Sequence, residues 1–314
     1  MPVASTFPSG RQILLESGPY SAIITEVGAG LRELHYDGSE IIDGYPAESM
    51  AEACRGQILS PWTNRLKDGR WWWNGIEHVV PVDDPEKGNS ASHGLVRWVP
   101  WTIVDEKPGR TVLATRLHPR PGYPFTVDFS IEYALTDSGL AIDLTAQNPT
   151  DTDTPVALGA HPYLRPLGGG SINEARLQIP AGKRVLVDED GQPRATKPVA
   201  GGIYDFRKSV EIGPLAINHA FTDLVFTNHG AEIANLCEVT LDDSLGTVTL
   251  WTDTATRWIQ VFSGDSLSGA DQRRSIAIEP MTAPAGALAT KTGLIVLSHE
   301  ASTHLRWGIS ARKR

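Results

Sequence analysis

Short runs in which apolar and polar residues alternate recur along the chain, separated by Gly, Pro, Asn and Asp. A period of two is what a strand with one buried face requires. Residues 13–15 and 21–27 flank Gly18-Pro19 and predict a β-hairpin. Residues 101–104 and 111–115 flank the turn-forming Lys107-Pro108-Gly109. Residues 126–135 and 140–147, joined by Thr136-Asp137-Ser138-Gly139, predict a second hairpin, and residues 247–252 and 258–262 extend the theme. Helical signals are weak: no long stretch keeps a 3.6-residue period without Gly or Pro inside it, and only residues 47–53 suggest a turn or short helix. Many short strands with frequent turns indicate a large sandwich or barrel.

Composition narrows this picture. The chain has 314 residues, 40% hydrophobic and 21% charged, enough for a sizeable core. One large β domain and two smaller ones are both open at this length. No linker of disordered composition and no fixed-period repeat interrupts the chain, which favours a single domain over residues 1–314. A net charge of −9 argues against nucleic acid and anionic membrane as partners, since phosphates attract basic surfaces. No apolar run approaches the ~18–20 residues of a membrane span, and Met1-Pro2-Val3-Ala4-Ser5 does not open a secretory leader. Cys54 and Cys237 have no CxxC partner, so free thiols in a reducing compartment are expected. Together these features predict a soluble cytoplasmic protein; a monomer or a homodimer are both open.

Four segments join a reactive group to a rigid, turn-prone frame: Ser60-Pro61-Trp62-Thr63-Asn64-Arg65, Asn89-Ser90-Ala91-Ser92-His93-Gly94, Gly159-Ala160-His161-Pro162-Tyr163-Leu164 and Ala277-Ile278-Glu279-Pro280-Met281-Thr282. Pro162 pushes His161 toward extended geometry at a strand end. Glu279 follows an apolar strand, Ser275-Ile276-Ala277-Ile278, and precedes Pro280, so it can be partly buried with a raised pKa. A histidine bonded to a loop carbonyl and a solvated glutamate at a strand end are the structural alternatives. Trp71-Trp72-Trp73 alternates faces of a strand, and core or rim packing is its expected role. The other histidines show no metal-ligand spacing, Gly168-Gly169-Gly170 lacks a phosphate-loop context, and Ser263-Gly264-Asp265-Ser266 lacks the esterase frame. Neither nucleotide chemistry nor a nucleophilic mechanism is supported.

Read together and in order, the segments resemble the aldose 1-epimerase (galactose mutarotase) family, closest to its bacterial branch. That family carries patterns like G-x-x-L-x-P-W-x-N-R, H-G, H-P-Y and E-P-M-T, matched here by Gly56 to Arg65, His93-Gly94, His161-Pro162-Tyr163 and Glu279-Pro280-Met281-Thr282. Pro121-Gly122-Tyr123-Pro124, Asp205-Phe206-Arg207 and Gln260-Val261-Phe262 are similar to further family segments. The resemblance implies an all-β, galactose-mutarotase-like supersandwich of mostly antiparallel strands with few short helices. It implies that His161 is the general acid on the ring oxygen and Glu279 the general base on the anomeric hydroxyl. It implies that Arg65 and His93 orient a monosaccharide, with Asn64 and Gln260 beside matched positions, and that no metal or other cofactor is needed. The family's sugar-gripping aspartate is Asn218 here, in Asn218-His219-Ala220-Phe221, so Asn218 and Asp223 are both candidates for that contact. A second departure lies in Pro284-Ala285-Gly286-Ala287-Leu288 after the E-P-M-T motif.

Such a pair suits mutarotation. The ring opens as O1–H loses a proton and the ring oxygen gains one, the C1–C2 bond rotates, and the ring closes on the other carbonyl face. Glutamate and histidine, with ordinary pKa values of about 4.3 and 6.5, imply an ionised Glu279 and a protonated His161 at the start. Two alternatives stay open: a hexose-6-phosphate 1-epimerase, with Arg65, Arg70 and Arg97 near the motifs, and a non-catalytic sugar-binding module on the same fold.

Overall fold

The computed structural model describes residues 7–85, 88–228 and 235–314. The largest sheet runs in the order Thr102–Lys107, Arg110–Leu117, Val127–Thr136, Gly139–Gln147, Ser302–Lys313, Gly246–Thr252, Asn235–Asp242, Arg176–Gln178 and Val210–Glu211. Its neighbours pair antiparallel, as short hairpin connections allow. The second sheet runs Pro193–Pro198, Ala181–Val187, Asn218–Leu224, Trp258–Phe262, Ile276–Met281, Gly159–Ala160 and Ile58–Leu59, with Tyr163–Leu164 also on Ile276–Met281. The chain start folds into a further sheet, Gln12–Ser17, Tyr20–Thr25, Leu31–Tyr36 and Ser39–Glu40.

These strands form where the alternation places them. Gln12–Ser17 and Tyr20–Thr25 make the expected hairpin, with Ile13 opposite Ile24 and Leu15 opposite Ala22. Val127–Thr136 and Gly139–Gln147 make the second, with Ile131 opposite Leu144. Inward residues of the sheets, among them Leu15, Ile131, Leu144, Leu250, Val261 and Ile278, belong to one contiguous core. Each fully buried side chain of this kind contributes about 1.5–3 kcal/mol of hydrophobic free energy. Helix is confined, among the described residues, to Ala287–Thr290 and a few single turns such as Glu52–Cys54, the latter at the end of the stretch where a turn was expected. No described helix is long and apolar enough to cross a membrane. The tryptophan run behaves as packing: Trp71 is buried, Trp72 is exposed, and Lys291 sits against the faces of Trp71 and Trp73.

One expectation about strand ends is corrected. Glu279 and Pro280 lie inside Ile276–Met281 rather than after it. A proline removes a ladder donor and is ordinarily kept from central strands. Here Ile278 N–H donates to Pro162 O and Thr282 N–H to Leu158 O, so the donor that Pro280 lacks would fall between them. That is where His161-Pro162 splits the facing strand into Gly159–Ala160 and Tyr163–Leu164. The two prolines therefore mark one interruption, seen from both sides.

Candidate functional site

Strand register alone brings the two central candidates together. Gly159 faces Met281 and Tyr163 faces Ala277, which places His161 opposite Glu279 across the interruption. On the other side of the same strand Glu279 pairs with Gln260. His161, Glu279 and Gln260 thus form a polar row across adjacent strands of the sheet. The His161 backbone is pinned from behind: its N–H donates to Gln57 O and its carbonyl accepts from Gly56 N–H, both at 3.0 Å. Gly56 has φ +67°, and a Cβ there would lie 1.9 Å from Leu31 O. Thr282 serves the row from below, its hydroxyl accepting from Leu158 N–H at 2.9 Å.

A short ribbon, Arg65–Lys67 against Ser90–Ser92, supplies the opposite wall. His93 N–H donates to Asn64 O at 3.0 Å, and the Asn64 side chain accepts from Arg65 N–H at 2.8 Å. Asn64 and His93 both have positive φ, 55° and 61°, a sparsely populated conformation that functional sites often hold in place. Gly94 cannot be replaced freely, because its φ is +77° and a Cβ would meet Ser60 O at 2.0 Å. The Arg65 guanidinium donates to Asp84 at 2.8 Å. Arg97 is buried, bonded to Asp83, to Ser92 O and to Gln57, and its guanidinium stacks on Trp98.

These walls enclose a cavity of about 580 Å³, a size ordinary for small-molecule clefts. His161, Glu279, Arg65, His93, Asn64, Asn218 and Gln260 all line it. His161 Nε2 lies 3.3 Å from Glu279 Oε1. The His161 ring stacks on Tyr163 at 5.1 Å between centroids and meets His93 edge-on at 5.2 Å. Gln260 Nε2 donates to Asn218 Oδ1 at 2.7 Å, joining the two amides into one acceptor–donor unit at the floor.

Asp223 stands apart and is withdrawn as a substrate contact. It lies five residues further along the strand from Asn218, about 16 Å away at strand rise. There it is exposed, pairs with Lys183 at 3.6 Å, and lines a separate hollow with Thr222 and Arg257. Asn218 holds the position at the cavity. Sequence reasoning missed other lining residues: Asp83, Asp84, Cys54, His219, Asp265, and the aromatic surfaces of Tyr163 and Phe262. Asp83-Asp84-Pro85 carries the one signal that could have been used, adjacent carboxylates in a proline-closed turn between the first two motifs.

Burial dominates the electrostatics. It pushes the Glu279 carboxyl up to about 8, with the Arg65 charge opposing the shift. It pushes the His161 imidazole down to about 3, an effect that the charges of Arg97, Arg65 and Arg55 reinforce. His93 is likewise held well below the ordinary histidine value, first by burial and then by His161 and Arg97. Burial therefore works against the charged form of both groups, opposing the expected carboxylate–imidazolium pair and favouring a neutral carboxyl beside a neutral imidazole.

A buried imidazole and a buried carboxyl thus face one another in a cleft of a large, mostly antiparallel β fold. The profile of the aldose 1-epimerase family matches residues 11–309, and the chain belongs to that family. The uncharacterized protein YihR of Escherichia coli K12 is 29% identical over 316 aligned positions, covering 100% of this chain and 97% of its own length. Among solved structures, a galactose 1-epimerase from Lactobacillus acidophilus NCFM aligns with a TM-score of 0.78 at 22% identity, covering 96% of this chain and 94% of that one. The GalM/aldose epimerase homologue from C. elegans aligns with a TM-score of 0.81 at 17% identity, over 96% of this chain and 99% of its own. These neighbours show the galactose-mutarotase-like fold.

Proposed function

We propose that this protein is an aldose 1-epimerase that interconverts the α and β anomers of a free aldose by proton transfer through Glu279 and His161. The observation that carries the reading is the 3.3 Å approach of the two buried groups within one cavity. A pure sugar-binding module needs neither an acid nor a base, and placing both in the interior is costly unless they do chemistry.

In this mechanism the sugar enters with its O1 hydroxyl against Glu279 and its ring oxygen against His161. Glu279 takes the proton from O1 while His161 delivers one to the ring oxygen, and the bond between C1 and the ring oxygen breaks. Rotation about C1–C2 presents the other carbonyl face, and the reverse transfers close the ring. The net proton count of the pair is unchanged over the cycle. The resting neutral pair and the reactive carboxylate–imidazolium pair differ only in where their one proton sits. Hydroxyls of the incoming sugar, hydrogen-bonded to both groups, favour the ionic arrangement. Each partner in such catalysis typically contributes 10²–10⁴-fold, or about 3–5 kcal/mol. Arg65, His93 and Asn64 on the ribbon wall and the Gln260–Asn218 amide pair on the floor orient the sugar. Phe262 and Tyr163 offer apolar surface to its ring.

A free sugar is favoured over a hexose 6-phosphate by charge. Arg65 and Arg97 are already paired with Asp84 and Asp83. Arg70 lies outside the cavity lining and pairs with Glu77 on an exposed hairpin. A phosphate site calls for arginines free to bind it in bidentate fashion. Polarimetry tests both points: the purified protein speeds equilibration of a panel of α-aldoses, and does so less for their 6-phosphates. No acceleration of any free aldose, or a preference for phosphates, would contradict the reading.

A further inference from the structure

We propose that His93, His161 and Glu279 also form a binding site for a divalent transition-metal ion of the zinc class, and that this ion is an inhibitor of the enzyme rather than its cofactor. The binding stands on geometry alone; only the word inhibitor rests on the proposed function. One donor atom from each of the three residues lies within 4.8 Å of the others, and all three side chains are buried. A tetrahedral zinc ion with bonds of about 2.0–2.1 Å requires donors roughly 3.3–3.4 Å apart. The edge between His161 Nε2 and Glu279 Oε1 is already 3.3 Å. The remaining donor separations are no more than 4.8 Å, so His93 has to approach by at most about 1.5 Å to complete the face.

Two imidazoles and a carboxylate are a donor set that zinc-class ions favour, and three protein ligands with a fourth position open to the cavity is the arrangement of an accessible site. Second-sphere support is missing. Among the described residues, Nδ1 of His93 and Nδ1 of His161 have no hydrogen-bond partner, and neither does Glu279 Oε2. Tight zinc sites ordinarily anchor the far nitrogen of each histidine. The site is therefore a weak, exchangeable one, suited to occasional occupation rather than permanent tenancy. An ion seated there takes the lone pairs with which Glu279 would accept a proton and on which His161 would carry one. It also fills the space of the hemiacetal, so ion and sugar exclude each other.

The test is a calorimetric titration of the intact protein with zinc chloride, in a non-chelating buffer with no sugar present. The wild type takes up one ion at this site, and Glu279→Gln and His93→Asn each weaken that uptake by about tenfold or more. His304→Asn, an exposed histidine beside Asp253, leaves it unchanged. Circular dichroism confirms that each variant is folded, and Glu279→Gln decides alone if His93→Asn is not. Equal zinc affinity in the wild type and in Glu279→Gln overturns the site. A second arm uses whichever aldose the protein equilibrates: zinc raises its apparent KM without lowering kcat, and a chelator reverses the effect. Loss of kcat at unchanged KM overturns the competitive assignment. If no aldose is equilibrated, the enzymatic reading fails while the calorimetric arm still decides the metal site.

Discussion

The hairpin Val127–Thr136 with Gly139–Gln147 and the strand Ile276–Met281 both pack into the core but solve different problems. In the hairpin nearly every second residue is buried, and the pairing continues unbroken from Asp128 opposite Gln147 to Thr136 opposite Gly139. In Ile276–Met281 every residue is buried, one is a glutamate and the next a proline, and the facing strand is split in two. The first region spends its sequence on packing. The second gives up ladder bonds and buries ionisable groups with unpartnered atoms, which lowers stability and is retained where a site needs it.

That contrast predicts opposite responses to mutation. Glu279→Gln keeps the shape of the side chain and removes the base, so kcat/KM for anomer exchange falls by about 10²–10⁴-fold, while thermal unfolding shows no loss of stability. Leu144→Ala in the large sheet does the reverse. It costs about 2–5 kcal/mol of stability, read by denaturant unfolding, with KM unchanged. An activity loss in Leu144→Ala as large as in Glu279→Gln would erase the distinction.

The pH dependence sharpens the same comparison. Glu279 has its folded pKa raised to about 8 from 4.5, so the folded state binds the extra proton and the wild type loses stability, relative to Glu279→Gln, as pH rises from 4.5 toward 8. His161 has its folded pKa lowered to about 3 from 6.5, so the wild type gains stability, relative to His161→Asn, as pH rises through that window. Activity needs the pair to carry one proton, so kcat/KM is level near neutrality and falls as pH climbs past about 8. Unfolding curves of wild type and variants across pH read the first two slopes, and initial rates read the third. The smallest effect is expected at Asp223, where Asp223→Ala leaves kcat/KM within twofold because the side chain is exposed and away from the cavity.

Most of the architecture was legible because it rests on period-two burial, which the order of residues along the chain displays directly. The hairpins at residues 12–25 and 127–147 follow from alternation and turn residues alone. His161 and Glu279 were legible as polar residues set against prolines in apolar runs. Their juxtaposition was legible only through the family resemblance, since it depends on the register of strands more than a hundred residues apart in the chain. Asp223 misled because nearness in sequence to Asn218 translates into distance along an extended strand. The effect of burial on the charge state was not legible, because ordinary pKa values describe water, whereas these groups sit in the interior. Asp83 and Asp84 escaped because a turn carries no period from which to read which way its side chains face.

The central claim is that Glu279 and His161 act as one proton-transfer unit. Rates of anomer exchange for Glu279→Gln, His161→Asn and the double variant, each verified as folded, test it most directly. Two groups that share one task are non-additive, so the double variant should be about as slow as the slower single variant. Losses that multiply in the double variant, or a single variant that retains the full rate, would contradict the account.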